Sequence, residues 1–409
     1  MVVNEMGAEP YRELTFDAQG DVHRAQRDAL AALDVTDLVL FAHGWNNSPS
    51  VARRFYERFF EPFPRFVASG ATVGYVGVVW PSMMFTDEPI PDFGTLAGLF
   101  PGQERTLSRL SVLLADEPDD RGAFEEFGFL VRELVDTCDA TSAEARAGDL
   151  SGPGGDDIPA FLHEDPVEVC RLFTDALDGT EPPLALGSGL RRLWKGGREV
   201  LRQAAYYTMK RRAGTVGERG LGPVIAHLAH SSPGIRVHLT GHSMGARLVA
   251  FALRGLPDGI SAVKSVTLLQ GAFSHYAFAP SLPHARGSGG VLRSMERRVD
   301  GPVVACYSHH DSALGVLYPL ASRMARDSST IVGLDKRWWA VGHNGIQAVA
   351  GARRLTLETA LREGLPGSGC VSVDTAAVVR SGGPPSGAHS DILHPELARV
   401  VLRAGRIGR

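Results

Sequence analysis

Six short apolar runs, four to nine residues long and bounded by Gly, Pro or polar residues, constrain most strongly how this chain can fold. They are Asp37–Ala42 (DLVLFA), 72–80 (TVGYVGVVW), 236–240 (RVHLT), 265–270 (SVTLLQ), 303–307 (VVACY) and 370–373 (CVSV). Runs this short and this apolar read as strands buried on both faces. Between them lie longer amphipathic stretches that read as helices: 51–60, with Phe55, Phe59 and Phe60 near one face, 245–253, and Pro395–Ala404. The alternation predicts an α/β architecture, a mostly parallel central sheet flanked by helices. A length of 409 residues allows one large or two modest domains, and 44% hydrophobic with 22% charged residues is globular composition.

One stretch breaks the alternation. Residues 82–187 form an acidic, mainly helical insert between core segments 1–81 and 188–409. From Asp87 to Glu181 there are 23 Asp/Glu against 6 Lys/Arg, a net charge of −17. Helical patterns cover 122–138 and 166–177, and the Gly/Asp-rich 148–159 reads as a loop. The insert is either a solvated helical surface or a cap over a site. The segment that follows, 191–219, carries 9 Lys/Arg and 2 Glu, so the two blocks are expected to dock electrostatically. The whole chain carries a net charge of −4, which provides no global field for nucleic acid. No run of about 18 apolar residues reads as a membrane span, and the first residues lack a secretion-signal pattern. Four cysteines without a C-x-x-C pair suit burial or a reducing compartment, so a cytoplasmic protein is expected.

The most chemically informative segment is Thr240-Gly241-His242-Ser243-Met244-Gly245, a G-x-S-x-G set between the strand RVHLT and the helical pattern ARLVAFAL. In this context the serine sits on a sharp strand-to-helix turn, and the glycines let strand and helix approach without side-chain clashes. The turn lifts the Ser243 hydroxyl out of the sheet and aims the Met244 N–H at the place where an oxyanion would develop. Ser243 is therefore the candidate nucleophile. His242, at the variable position, is expected to pack or to line a pocket.

With this motif the chain resembles the α/β-hydrolase superfamily, in particular its bacterial esterase- and lipase-like members, over roughly residues 37–80 and 213–403. The resemblance implies an α/β-hydrolase fold and a triad in the order serine, acid, histidine. It also implies that the strand ending in His43-Gly44 supplies the second oxyanion donor, the Trp45 N–H. His43 would brace that loop, and Asn46 and Asn47 would serve as turn or helix-capping residues. The acid implied is Asp311, a few residues beyond VVACY, with Asp374 at the end of CVSV as its rival. The base implied is His389, on the loop before the closing helix, with His343 a weaker candidate. His309 and His310 would orient the acid's loop, and His394 begins the final helix. The large insertion follows Trp80, whereas the family's usual lid follows a later strand.

Trp45, Trp80, Met83, Met84 and Phe85 follow the first two strands, and Met244 and Phe273 the next two, where a sheet of this kind forms its crevice. Of these, Trp45, Trp80, Met83, Phe85 and Phe273 are the expected substrate-binding residues, forming an apolar pocket. Trp338 and Trp339 are expected either to contact the cap or to form a second pocket wall. No H-E-x-x-H, P-loop or G-x-G-x-x-G in strand–helix context is present, so no metal and no cofactor are expected. The expectation is a serine hydrolase (a carboxylic ester hydrolase) taking a small-molecule ester or lipid-like substrate. A thioesterase or amidase/peptidase using the same residues, and a non-catalytic binding module, are the alternatives.

Overall fold

A computed structural model describes residues 7–45, 47–82, 102–140, 164–178, 189–283, 287–314, 339–383 and 387–409. Eight strands form one sheet: β1 (Tyr11–Thr15), β2 (Asp37–Ala42), β3 (Val73–Val79), β4 (Arg236–His242), β5 (Val263–Leu269), β6 (Pro302–Tyr307), β7 (Arg353–Thr356) and β8 (Gly369–Asp374). Their order is β1-β3-β2-β4-β5-β6-β8-β7, and every neighbouring pair is parallel. The α/β architecture expected from the apolar runs is present. Parallel strands need covering helices on both faces, and every residue of the central β2 and β3 is buried.

The helices are α1 (Arg24–Ala31), α2 (Pro49–Phe60), α3 (Glu104–Asp116), α4 (Arg121–Ala140), α5 (Pro166–Asp178), α6 (Trp194–Thr215), α7 (Gly222–Ser231), α8 (Met244–Ala252), α9 (Leu357–Arg362) and α10 (Pro395–Ala404). Strand alternation sorts the core into two layers. Leu38, Leu40, Val76, Val78, Leu239 and Leu268 pack with α7 and α8 on one face. Val39, Phe41, Tyr75, Val304, Val371 and Val373 pack with α2, α9 and α10 on the other. Ser48, not an Asn, caps α2: its Oγ accepts the Val51 N–H at 3.3 Å and Pro49 takes the first helical position.

Within 82–187, helices α3, α4 and α5 pack against the start of α6, and their buried side chains are continuous with the core on one face of the sheet. Trp194 is fully buried there, stacked 4.2 Å from Phe124 and edge-on to Phe127. The opposite charges do meet: Arg198 pairs with Glu117 at 2.6 Å and Arg192 with Asp175 at 3.2 Å. From α6 the chain passes through a π-turn, Val216–Leu221, into α7. A Cβ on Gly217 would lie 2.2 Å from the Leu248 carbonyl, so the absence of a side chain there lets this helix lie directly on α8. The 148–159 loop lies outside the described residues. Among the described residues no helix is long and apolar enough to cross a membrane.

Candidate active site

Strand β4 ends at His242 and α8 begins at Met244, which leaves Ser243 alone at φ 55° and ψ −117°. An L-residue adopts such angles only where its surroundings fix them. Here the Ser243 N–H donates to the Leu269 carbonyl at 3.0 Å, and the Ser243 carbonyl accepts the Ala272 N–H at 3.1 Å. The flanking glycines are required by close backbone approach. A Cβ on Gly241 would lie 2.2 Å from the Gly245 carbonyl, and one on Gly245 would lie 2.1 Å from that of Ala42.

His389 lies on a short turn, Gly387–Ser390, between β8 and α10. Its Nε2 is 2.8 Å from Ser243 Oγ and its Nδ1 is 2.7 Å from Asp311 Oδ2. A carboxylate can only accept, so Nδ1–H donates to Asp311 and the Nε2 lone pair faces the hydroxyl. Asp311 is fully buried on the loop after β6, where its other oxygen accepts the Leu314 N–H at 3.0 Å. Ser308 stiffens that loop by donating to the Val379 carbonyl at 2.6 Å and accepting the His310 N–H at 3.1 Å. Asp374 turns elsewhere, accepting the Ala376 N–H at 3.0 Å in the turn that closes β8.

The loop after β2 lies against the serine: a Cβ on Gly44 would sit 3.0 Å from Ser243 Cβ. The Gly44 carbonyl accepts from His43 Nδ1 at 2.8 Å and from Asn47 Nδ2 at 3.2 Å. In a trans peptide the carbonyl and the following N–H point in opposite directions, so holding this carbonyl also fixes the direction of the Trp45 N–H. Met244, as the first residue of α8, has an N–H with no intrahelical acceptor. Burial pushes His43 down to about 4, so it stays neutral and keeps one donor on the Gly44 carbonyl. Its ring stacks on Trp80, whose Nε1 donates to the His43 carbonyl at 3.0 Å.

Among the expected pocket residues, Trp45 is half-buried and meets Tyr206 of α6 edge-on at 5.7 Å. Trp80 and Phe273 are buried, Trp80 beneath the His43 ring. Met83, Met84, Phe85, Asn46 and Trp338 lie outside the described residues. Trp339 packs edge-on to His343, whose Nδ1 reaches the Asp311 carbonyl at 3.3 Å. His309 and His310 are exposed, their rings 4.0 Å apart and tilted by 42°, while His394 bonds Asp391 at 2.8 Å ahead of α10. Tyr206, in the basic segment, has no marker in the sequence, whereas Asn47, expected as a turn or capping residue, takes the turn role, its Nδ2 donating to the Gly44 and Trp45 carbonyls. Among the described residues no group of three His, Cys, Asp or Glu could hold a metal ion.

A hydroxyl bonded to an unprotonated imidazole nitrogen, with the ring's other N–H on a buried carboxylate, can transfer its proton as it attacks an electrophile. Comparison with protein-family models, curated proteins and solved structures yields no match to this chain, so its functional assignment rests on this geometry.

Proposed function

We propose that the protein is a serine hydrolase of carboxylic esters built on an α/β-hydrolase fold. The observation that carries this reading is the unbroken hydrogen-bond line Asp311–His389–Ser243, ending on a serine at positive φ. The positions of the three residues support it. The serine follows β4, the carboxylate follows β6 and the histidine follows β8, which is the serine–acid–histidine order of that superfamily.

In this reading Ser243 Oγ attacks the ester carbonyl while its proton passes to His389 Nε2. The Met244 and Trp45 N–H groups hold the oxyanion, each typically worth about 3 to 4 kcal/mol of transition-state stabilisation. Collapse of the tetrahedral intermediate breaks the C–O bond, and His389 returns the proton to the departing alcohol. Water, with its proton passing to His389, then releases the acid and regenerates Ser243. Asp311 stabilises the transient imidazolium throughout. The 82–187 insert acts as a cap: α3–α5 are anchored on α6, and Tyr206 of the same helix touches the oxyanion-loop residue Trp45.

A fluorophosphonate probe tests the nucleophile. The wild type is expected to label and Ser243→Ala not to; a folded wild type that stays unlabelled makes the protein a binding module instead. Turnover of a chain-length series of p-nitrophenyl esters, beside acyl-thioesters and an amide, then identifies the bond cleaved. Esters are expected to lead, with longer acyl chains preferred.

A further inference from the structure

The residue before the serine does more than pack. His242 Nε2 lies 2.8 Å from the backbone carbonyl of His389, and because a carbonyl only accepts, Nε2–H is the donor. We propose that His242 is a positioning residue that fixes the backbone of His389 relative to Ser243. This inference rests on the reading of Ser243 and His389 as nucleophile and base.

The contacts form a closed ring. Ser243 is bonded covalently to His242, His242 holds the His389 carbonyl, and His389 Nε2 returns to Ser243 Oγ at 2.8 Å. Two further ties on the His389 turn are the Ala388 N–H on the His310 carbonyl at 3.1 Å and the Gly387 N–H on the Gly383 carbonyl, besides the bonds that lead into α10. Both ties lie toward the acid's loop and the preceding loop segment. Among the described residues, only the His242 contact couples the turn to the nucleophile's own backbone.

The His242 ring is itself clamped. Phe55 of α2 lies 6.0 Å from it on one side, and a Cβ on Gly44 would come within 3.1 Å of its Nδ1. Burial, reinforced by the charge that His389 can carry, pushes its pKa down to about 3. The ring therefore stays neutral beside an imidazole that must itself become charged. A leucine here would fill much of the volume but remove this donor from the His389 carbonyl.

The experiment compares H242L, H242Q and H242N. Gln places its amide nitrogen where His carries Nε2, whereas Asn places it near Nδ1, out of reach of the carbonyl. H242L and H242N are expected to lower kcat for a p-nitrophenyl ester by about 10- to 100-fold with KM nearly unchanged, the cost of a misplaced base. H242Q is expected to recover most of that loss. A merely structural role would lower thermal stability without splitting kcat from KM and without rescue by Gln. If H242L does not fold, the H242N-to-H242Q ratio carries the same comparison.

A second readout does not depend on turnover. The low-field Nδ1 proton of His389, bonded to Asp311, is expected to exchange with water faster in H242L and H242N than in the wild type and H242Q. Equal kcat and equal exchange across the series overturn the proposal. A wild type that protects this proton yet does not react with fluorophosphonate overturns the ester-hydrolase reading instead.

Discussion

Ser243 holds a backbone conformation that costs of order 1–3 kcal/mol, and the fold sustains it by giving up side chains at three neighbouring positions. Gly241 and Gly245 abut backbone that cannot yield, and Gly44 faces the serine Cβ at 3.0 Å and the His242 ring at 3.1 Å. Gly245→Ala tests this directly. Its Cβ would press 2.1 Å from the Ala42 carbonyl and 2.4 Å from that of His43. Relief requires α8 to withdraw from the end of β2, which separates the Met244 N–H from the Trp45 loop. Stability is expected to fall by about 1–3 kcal/mol, the usual cost of overpacking. Activity is expected to fall by about 100-fold or more, since small displacements of oriented groups are disproportionately costly. Urea midpoints and kcat of the folded variant measure both. Loss of activity no larger than the loss of folded protein would refute this account of the turn. The glycines and the serine were legible in the sequence because strand, turn and helix each have a local signature. The role of Asn47 was not, because Asn suits both a cap and a loop brace, and only the position of the Gly44 carbonyl decides between them.

Helix α6 joins two parts of the chain that have different charge, and the forces holding them together can be ranked. Arg198–Glu117 and Arg192–Asp175 are solvent-accessible pairs, each worth about 0–1 kcal/mol. Trp194 buries its whole side chain against Phe124 and Phe127, and truncating such a residue typically costs about 3–5 kcal/mol. The apolar contact therefore dominates, although charge alone had pointed to electrostatic docking. Raising salt to 1 M is expected to leave protease resistance of α3–α5 unchanged, whereas Trp194→Ala is expected to expose them to cleavage at low salt. Release by salt with Trp194 intact would reverse the ranking. The same contrast explains which elements the sequence disclosed. The six central strands are apolar on both faces and stood out. Edge strands β1 (YRELT) and β7 (RRLT) carry mostly polar side chains because only part of each is covered, so no apolar run marks them. Helix α6 was hidden by its Lys and Arg, which drew attention to charge and away from the buried Trp194, Leu201, Ala204 and Met209 stripe.

The sheet as a whole encloses three histidines that the fold keeps neutral, and this determines how the protein responds to acid. His43 and His242 lie at the site end of β2 and β4. His238 lies near the other end, with its Nε2 2.7 Å from Asp37 and its Nδ1 3.0 Å from Ser265 Oγ. Burial holds His43 at about 4 and His242 at about 3, and it also lowers His238 although Asp37 opposes it. Burial disfavours ionised Asp37, but hydrogen bonds from His238 and Thr36 outweigh it and keep the carboxyl below its usual range. Near neutral pH the three histidines are neutral in folded and unfolded chains alike, so their full contribution is present. Below pH ~6.5 the unfolded chain takes up protons that the folded protein excludes, at about 1.4 kcal/mol per pH unit each for His43 and His242. For His43 and His242 together the slope approaches about 3 kcal/mol per unit, against total stabilities of about 5–15 kcal/mol for native domains, and His238 adds in the same direction against the opposing pull of Asp37. Asp37 adds to the loss only below the ordinary carboxylate range. Stability is therefore expected to fall steeply between pH ~6.5 and ~4.5 and to return on neutralisation. Urea titrations at half-unit steps from pH 7.5 to 4.5 measure the slope. His238→Gln is expected to be less stable at pH 7.5 yet to lose stability more gradually on acidification, because one proton-binding difference is gone. A wild-type stability that is flat across this range would mean that the buried rings take up protons in place, and that their enclosure by the sheet is looser than the packing around Gly44 and Gly405 implies.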